Sequence, residues 1–169
     1  MDAANEAGTA RVSGGTHVER ASEREIVVTR TFDAPARIVY EAWSKPELFM
    51  RWWAPKSLGM PILSCEMDVR TGGKYRLVFG KDGASSWSFF GKYLDVIPNA
   101  RMVWTNDEDD AGQTITTVTF EEADGRTRVT IHDLYPSAEA LEAGSGSTEA
   151  MPEVLQQLDE LLAELAASA

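Results

Sequence analysis

The segment that most constrains this fold is the last one, residues 148–166, because it carries the clearest long helical period in the sequence. Met151, Leu155, Leu158 and Leu162 recur at three- and four-residue steps, while acidic and amide side chains occupy the opposite face. Burying one leucine side chain contributes about 1.5–3 kcal/mol, yet a single helix of this length is marginal in water. We therefore expect this helix to pack against a surface that the preceding residues build.

The composition is that of one globular domain with an acidic surface. The chain has 169 residues, of which 43% are hydrophobic, and 27 acidic against 16 basic side chains give a net charge of −11. This charge repels phosphate backbones unless a basic patch opposes it, and Arg and Lys are scattered singly, so we expect no nucleic-acid partner. No apolar run is long enough for a membrane span or a signal peptide, so we expect a cytoplasmic protein without a membrane span.

Cysteine and histidine are too few for most metal and nucleophile chemistry. Cys65 is the single cysteine, and His17 and His132 are the two histidines. These residues cannot supply a tetrahedral nitrogen and sulfur shell by themselves, and a nucleophilic Cys65 would need a neighbouring base. We therefore predict no metal, no cofactor and no catalytic residue, with Cys65 as a buried or half-buried strand residue.

The chain divides into a tail and a domain. Residues 1–24 hold few large apolar side chains and are predicted to be a disordered N-terminal tail. Residues 25–166 are predicted to form a single domain. The Gly- and Ser-containing residues 144–147 are expected to break a short helical turn from the terminal helix, with Pro152 in that helix's first turn, which predicts a flexible start.

The domain begins with a strand and two short helices, and then continues as strands. Residues 26–32 are β-branched and aromatic, which predicts the first strand. Pro35 suits the first turn of a helix, and the Ser44-x-x-Glu47 spacing is that of a capping box for a second helix. Six further strands, separated by turn residues, are predicted at 62–69, 74–80, 87–97, 101–106, 113–120 and 127–135.

Short turns between successive strands favour antiparallel pairing, and the terminal helix needs an apolar surface to cover. We therefore predict an α+β fold. In it, a curved antiparallel sheet of six to seven strands wraps around the long C-terminal helix, with two short helices after the first strand.

Several motifs, each weak alone, together resemble one known family. They are Asp33-Ala34-Pro35, Pro46-Glu47, Trp52-Trp53, Gly72-Gly73, Gly91-x-Tyr93 and Arg101-x-Val103-Trp104. From about Glu25 to Leu165 the chain is similar to the activators of heat-shock protein 90 ATPase, the AHSA family with its Aha-type C-terminal domain. That family belongs to the START-like, or SRPBCC (Bet-v-type), superfamily. The resemblance implies a helix-grip fold with a deep, largely apolar cavity between the concave sheet and the terminal helix.

The resemblance also implies a hydrophobic small molecule as ligand, such as a lipid, a polyketide-like compound or an aromatic compound. Relatives often carry His-Glu-Gly after the last strand, where this chain has His132-Asp133-Leu134. For this reason no role of a relative's histidine is transferred to His132.

Alternation along the strands selects the residues that would face the cavity. We predict that the face richest in aromatic rings points inward, with Gly91 and Thr116 leaving room between the rings. One residue of Trp52-Trp53 is expected to pack and the other to border an opening. The tyrosines and tryptophans of the strands are candidate hydrogen-bond donors to a ligand. The predicted cavity residues are Trp53, Tyr75, Leu77, Phe79, Trp87, Phe89, Tyr93, Met102, Trp104, Thr116, Val118, Val129, Ile131, Met151, Leu155 and Leu158.

Three functions are open at this point. A non-enzymatic, stress-related carrier or sensor of an apolar small molecule leads, because the chain lacks a catalytic triad and a metal shell. A co-chaperone-like binding module would instead need an exposed, contiguous apolar patch on the convex face around Val27 and Phe90. A cyclase, dehydratase or hydrolase would need Asp133 or His132 buried beside the cavity. A chaperone and a second copy of the chain are the alternative partners, and a core filled by its own rings is the alternative to a cavity.

Overall fold

The computed structural model of the protein describes residues 10–13, 15–59, 61–80, 86–107 and 112–168. The helices are α1 (Ala36–Ser44), α2 (Pro46–Phe49), α3 (Ala138–Ala143) and α4 (Ser145–Ser168), with a short 3₁₀ turn at Lys56–Leu58. The strands are β1 (Ala10–Ser13), β2 (Thr16–Arg20), β3 (Glu25–Phe32), β4 (Ile62–Met67), β5 (Lys74–Gly80), β6 (Ser86–Ile97), β7 (Arg101–Asn106), β8 (Thr114–Ala123) and β9 (Arg126–Leu134).

These strands form one antiparallel sheet in the order β1-β2-β3-β9-β8-β7-β6-β5-β4. The α+β class, the antiparallel sheet and the long C-terminal helix agree with the sequence-based prediction. The described residues nevertheless form nine strands rather than six to seven, because β1 and β2 extend the sheet beyond β3. We call the face that carries Val28, Met102 and Val118 the inner face, since these residues are buried in the core that α1 and α4 help to form.

The turn between β8 and β9 shows how local sequence sets the register. Ala123 pairs with Arg126, so only Asp124 and Gly125 connect the two strands. Both residues have positive φ, 55° and 77°, which is the conformation that a tight Asp-Gly hairpin requires. This hairpin fixes the pairing of β8 with β9, and with it the alignment of Thr116 with Asp133.

The disordered-tail prediction is wrong for residues 10–13 and 15–24, since β1 and β2 lie in this stretch and pair with each other and with β3. Strand pairing satisfies the backbone groups here, so a few buried side chains are enough to dock the hairpin. Thr16 is fully buried and Val18 is 7% exposed. The ordered domain therefore starts before Glu25. Residues 1–9 lie outside the described residues, and a disordered tail there stays a prediction.

Helix α4 starts earlier than the sequence suggested. Its backbone is helical from Ser145, so residues 145–147 do not interrupt the chain between α3 and α4 as predicted, and Pro152 lies inside the helix rather than in its first turn. Gly144 lies between α3 and α4, and a Cβ atom at this position would lie 3.0 Å from the ring of Tyr135. The junction of the two helices is thus packed against the residue that follows β9.

Two buried polar side chains fasten α4 to the rest of the domain. Arg30 on β3 donates hydrogen bonds to Thr16 Oγ1 (3.0 Å), to Gln156 Oε1 (3.0 Å) and to Asp159 Oδ2 (3.3 Å). Gln157, which the helical period placed on the solvent face, is 7% exposed. Its amide group donates to the carbonyl oxygens of Trp52 and Ala54 and accepts from the backbone N–H of Lys56.

The aromatic residues of α1, α2 and the following loop close one end of the core. Trp43 and Phe49 are buried. Trp52 is fully buried and donates its indole N–H to the carbonyl oxygen of Ala42 at 2.9 Å, while Trp53 is only half-buried. Trp52 is thus the member of the pair that packs, as expected for one of the two, and Trp53 is the member that stays partly exposed.

None of the helices in the described ranges is both long and apolar enough to cross a membrane. The described part of the chain also has no group of three or more histidine, cysteine, aspartate or glutamate side chains positioned to hold a metal ion.

Candidate ligand-binding site

The alternation argument identified the inner face of the sheet correctly. The predicted residues that lie buried on this face or on the facing side of α4 are Tyr75, Leu77, Tyr93, Met102, Trp104, Thr116, Val118, Val129, Ile131, Leu155 and Leu158. Trp53, Phe79 and Met151 are half-buried against the same core. The Trp87 side chain lies outside the described part of the structure. Whether these residues contact a ligand stays a prediction.

Coverage of the inner face is uneven. Helix α4 packs on α1, β2 and β3, at one side of the sheet. On the other side, formed by β4, β5 and β6, Cys65, Met67 and Phe79 are only half-buried. Phe89 is 39% exposed, although its ring meets that of Phe79 edge to face at 5.3 Å. The inner face is thus closed beneath α4 and more open towards β4, so Phe89 lies at its rim rather than in its interior.

Gly91 does not leave room for a ligand as the sequence suggested. A Cβ atom at this position would lie 1.8 Å from the carbonyl oxygen of Thr105. Glycine is therefore required at this position, because the backbones of β6 and β7 approach so closely that a side chain has no space. Thr116 is also 5% exposed and engaged in a hydrogen bond, so neither Gly91 nor Thr116 leaves the room that the sequence suggested.

Asp133 places a carboxyl group on the inner face. In the sheet register it lies opposite Thr116 on β8 and Ile26 on β3, both of which are buried. The Thr116 hydroxyl donates to Asp133 Oδ1 at 2.6 Å. Burial raises the pKa of Asp133, and the Thr116 hydrogen bond and the charge of His132 offset only part of this rise. Asp133 as a whole residue is nevertheless only half-buried, so its surroundings are not completely closed.

A row of polar groups crosses the inner face at the level of Asp133. Tyr93, Trp104, Thr116 and Asp133 lie opposite one another on β6, β7, β8 and β9. The Tyr93 hydroxyl, the Trp104 indole N–H and Asp133 Oδ2 have no hydrogen-bond partner among the described residues, and Tyr93 and Trp104 are buried as whole residues. Burial of Tyr93 also raises the pKa of its phenol, so the group is a neutral donor. The row therefore contains three polar groups, on Tyr93, Trp104 and Asp133, that make no hydrogen bond to the described residues.

Two further side chains with donor groups, Tyr75 and Trp43, lie outside this row. The Tyr75 hydroxyl lies 2.6 Å from the carbonyl oxygen of Thr105 and 2.7 Å from Asn106 Oδ1, so it serves the fold. The indole N–H of Trp43, which the sequence assigned to packing alone, is buried without an acceptor in the described part of the chain. The Trp43 ring lies 6.1 Å from that of Trp104, beside the polar row. Spacing in the sequence gave no sign of this unpartnered donor.

Three other titratable residues, His132, Asp95 and Cys65, do not belong to the polar row. His132 is on the outer face, where its Nε2 pairs with Glu25 Oε2 at 2.8 Å. Asp95 forms an ion pair with Arg101 on the surface. Burial raises the pKa of the Cys65 thiol to about 11, so this cysteine is not an activated nucleophile.

The outer face carries a shallow pocket of about 500 Å³ on β4, β5 and β6. Lys74 and Lys92 lie directly opposite each other there, without an ion pair among the described residues. Phe90 beside them is 41% exposed. Val27 lies on β3, four strands from β6, so the contiguous apolar patch around Val27 and Phe90 is not formed. The pocket is lined by Glu66, Lys74, Tyr75, Arg76, Phe90, Gly91, Lys92 and Asp107.

Solved structures with similar folds cover most of this chain. A protein from Rhodobacter sphaeroides is 24% identical with a TM-score of 0.78, over 89% of this chain and 99% of that one. Protein Ms6760 from Mycobacterium smegmatis is 25% identical with a TM-score of 0.72, over 83% and 91%. Protein NE0264 from Nitrosomonas europaea is 21% identical with a TM-score of 0.74, over 84% and 96%. At these identities the likeness establishes the fold.

A comparison with curated proteins found no significant match. A comparison with protein-family models found one that is described as "Activator of Hsp90 ATPase homolog 1-like protein" and that matches residues 33–163. This span runs from the end of β3 into α4 and includes the whole polar row. Because the match covers well over half of the chain, the protein belongs to the activator of Hsp90 ATPase homolog 1-like family.

Proposed function

We propose that this protein binds an apolar small molecule between the inner face of the sheet and α4, without transforming it. The single observation that carries the proposal is the row formed by Tyr93, Trp104 and Asp133. These residues lie on the inner face of the sheet, and each has a polar atom without a hydrogen-bond partner among the described residues. Ligand sites typically combine apolar walls with a few such polar groups.

The energetics of the interior support the same reading. A buried polar group without a partner costs about 1–3 kcal/mol, and the indole N–H of Trp43, whose ring lies 6.1 Å from that of Trp104, is such a group. A ligand with a polar substituent would satisfy groups of this kind while its apolar part covered the half-buried Trp53 and Met151. The more open side of the inner face, towards β4, offers a route of entry past Phe89.

The proposal is tested first by native mass spectrometry of the protein purified from its own cells. A stoichiometric small molecule, lost on denaturation, is the expected result and would identify the chemical class. In parallel, binding of the apolar fluorescent probe N-phenylnaphthylamine is compared for the wild type and two variants. Met151→Trp adds bulk at the half-buried rim of the pocket, and Ala163→Trp adds the same ring at an exposed position of the same helix.

We expect Met151→Trp to weaken probe binding roughly tenfold, because a new ring in the pocket removes apolar contact area. Ala163→Trp should bind the probe like the wild type. If neither a co-purifying molecule nor saturable probe binding is found, the interior is filled by its own side chains and the proposal is wrong.

A second candidate function, docking to an acidic segment of a Hsp90-type chaperone, is favoured by the outer pocket. Lys74 and Lys92 face each other without an ion pair among the described residues, beside the exposed ring of Phe90. With Arg76 they give the pocket three basic side chains against two acidic ones, Glu66 and Asp107. Like charges directly opposite each other destabilise a strand pair, and an acidic partner would offset this. The test is the ATPase rate of the host's Hsp90 homologue with the wild type and with Lys74→Glu/Lys92→Glu. A stimulation lost in the double variant is expected, and no stimulation by the wild type excludes the candidate.

Catalysis has less support. Asp133 meets the condition of a half-buried carboxyl on the inner face, but His132 lies on the outer face and the pKa of Cys65 is raised. No second titratable group of the described residues is hydrogen-bonded to Asp133, whose recorded partner is the Thr116 hydroxyl. A lone acid suits the recognition of a ligand better than acid–base chemistry, which needs a matched pair of groups.

A further inference from the structure

We infer that Asp133 recognises a hydrogen-bond donor, a hydroxyl or an amine, on the apolar molecule bound at the inner face. This inference rests on the proposed function and adds the chemistry of the ligand's polar end. It starts from the different situations of the two carboxyl oxygens. Oδ1 accepts a hydrogen bond from Thr116 at 2.6 Å, whereas Oδ2 has no hydrogen-bond partner among the described residues.

Among the described residues, no cationic side chain is hydrogen-bonded to Asp133, although the charge of His132 acts on it from the neighbouring position. His132, its neighbour in the sequence, points to the outer face and pairs with Glu25. The residues opposite Asp133 in the sheet are Thr116 and Ile26, both buried and uncharged. An ionised carboxylate is an acceptor only, so the group that completes its hydrogen bonding has to be a donor.

The position of Asp133 favours recognition over a purely structural role. Two residues further on, Tyr135 packs against Gly144, which directly precedes α4, so Asp133 lies near the end of the strand that leads into α3 and α4. Trp104, two strands away in the same row, provides a flat apolar wall with its own open N–H. A rigid, ring-containing skeleton with a donor at one end matches this arrangement.

The experiment uses three naphthalene derivatives that differ only in the substituent at one ring position. Naphthol offers a neutral donor, naphthylmethylamine offers a cationic donor, and methoxynaphthalene offers none. Their dissociation constants are measured by equilibrium dialysis with the full-length wild type, Asp133→Leu, Asp133→Asn and Asp124→Asn. Asp124→Asn is the matched control, because Asp124 is an exposed turn residue whose charge is removed in the same way.

The wild type should bind naphthol roughly 3- to 10-fold more tightly than methoxynaphthalene, and naphthylmethylamine roughly 10- to 100-fold more tightly, as expected for one neutral and one charge-assisted hydrogen bond. Asp133→Leu should bind all three alike, and Asp133→Asn should lose the preference for the amine in particular. Asp124→Asn should match the wild type. A preference for the amine alone would assign a cationic ligand, and a preference for naphthol alone a neutral hydroxyl compound.

Two results would overturn the inference. The first is equal binding of the three compounds by the wild type, and the second is an unchanged preference in Asp133→Leu that retains the wild-type circular dichroism spectrum. In both cases the proposed pocket itself would stand, because the compounds still bind. If the wild type binds none of the compounds and no N-phenylnaphthylamine, the proposed function fails, and the inference fails with it.

Discussion

The backbone of Thr105 occupies the space in which a side chain at Gly91 would lie, with only 1.8 Å between the carbonyl oxygen of Thr105 and a Cβ atom built at Gly91. Gly91 lies next to the point of β6 where pairing with β5, which ends at Lys92, gives way to pairing with β7, which begins at Tyr93. The Tyr75 hydroxyl bonds to the same Thr105 carbonyl. This contact brings the two halves of the sheet together beside the polar row.

Gly91→Ala should therefore destabilise the protein by at least about 3 kcal/mol, because backbone atoms on both sides cannot yield to a methyl group. The free energy of unfolding is measured by urea denaturation. Lys92→Ala, at the neighbouring exposed position, should change it by less than about 0.5 kcal/mol. Equal stability of Gly91→Ala and Lys92→Ala would show that β6 and β7 do not approach as closely as described.

Arg30→Met should lower the free energy of unfolding by about 1–3 kcal/mol, because the buried hydroxyl of Thr16 loses its partner and α4 loses two hydrogen bonds to β3. Arg128→Met on β9 removes the same charge at an exposed position and should be close to neutral. Hydrogen exchange provides a second measurement, with faster exchange expected for β2 amides in Arg30→Met. Unchanged exchange in β2 would argue that the N-terminal hairpin docks without Arg30.

Asp133→Asn should change stability in a pH-dependent way. The pKa of Asp133 is raised in the folded chain above its ordinary value of 3.8, so the folded state binds the proton more tightly than the unfolded state does. The corresponding stability is present at low pH and is lost as the pH rises from 3.8 through the folded pKa. Asparagine does not titrate and still offers Thr116 an acceptor, so the variant avoids this loss.

The measurement is the melting temperature of the wild type and of Asp133→Asn at about pH 4 and about pH 7. The variant should gain on the wild type as the pH increases. Asp124→Asn is the control and should show no such trend. A variant that loses stability relative to the wild type on raising the pH would mean that Asp133 is stabilised, not penalised, as an anion.

Cys65 should react slowly with iodoacetamide in the native protein. Burial raises its thiol pKa from 9.0 to about 11, so the reactive thiolate is roughly 100-fold scarcer than in the unfolded chain at a given pH below 9. Rates are measured by mass spectrometry with and without urea. Naphthol bound at the inner face should slow the native reaction further, since Cys65 lies on the less covered side of that face. Equal native and unfolded rates would place the thiol in open solvent.

Much of the fold was readable from local pattern. Alternation on β5 to β9 identified the inner face, Asp124-Gly125 identified a tight hairpin, and the apolar stripe that contains Leu155 and Leu158 identified the covering helix. These features depend on neighbours within a few residues, so the sequence determined them by itself. Residues 10–20 escaped prediction because a strand docked by backbone pairing needs few apolar side chains.

What only the tertiary structure decided is how distant residues share space. Nothing in the sequence around Gly91 indicates that the backbone of Thr105 lies against it. The helical period places Gln157 on the solvent side of α4, but the loop after α2 covers it, and Gln157 forms hydrogen bonds with three backbone groups. Asp133 looked like an exposed strand end until the register set it opposite Thr116 and Ile26. Burial and desolvation depend on the whole surroundings of a group, so the unused acceptor at Asp133 became visible only once the sheet and α4 were assembled.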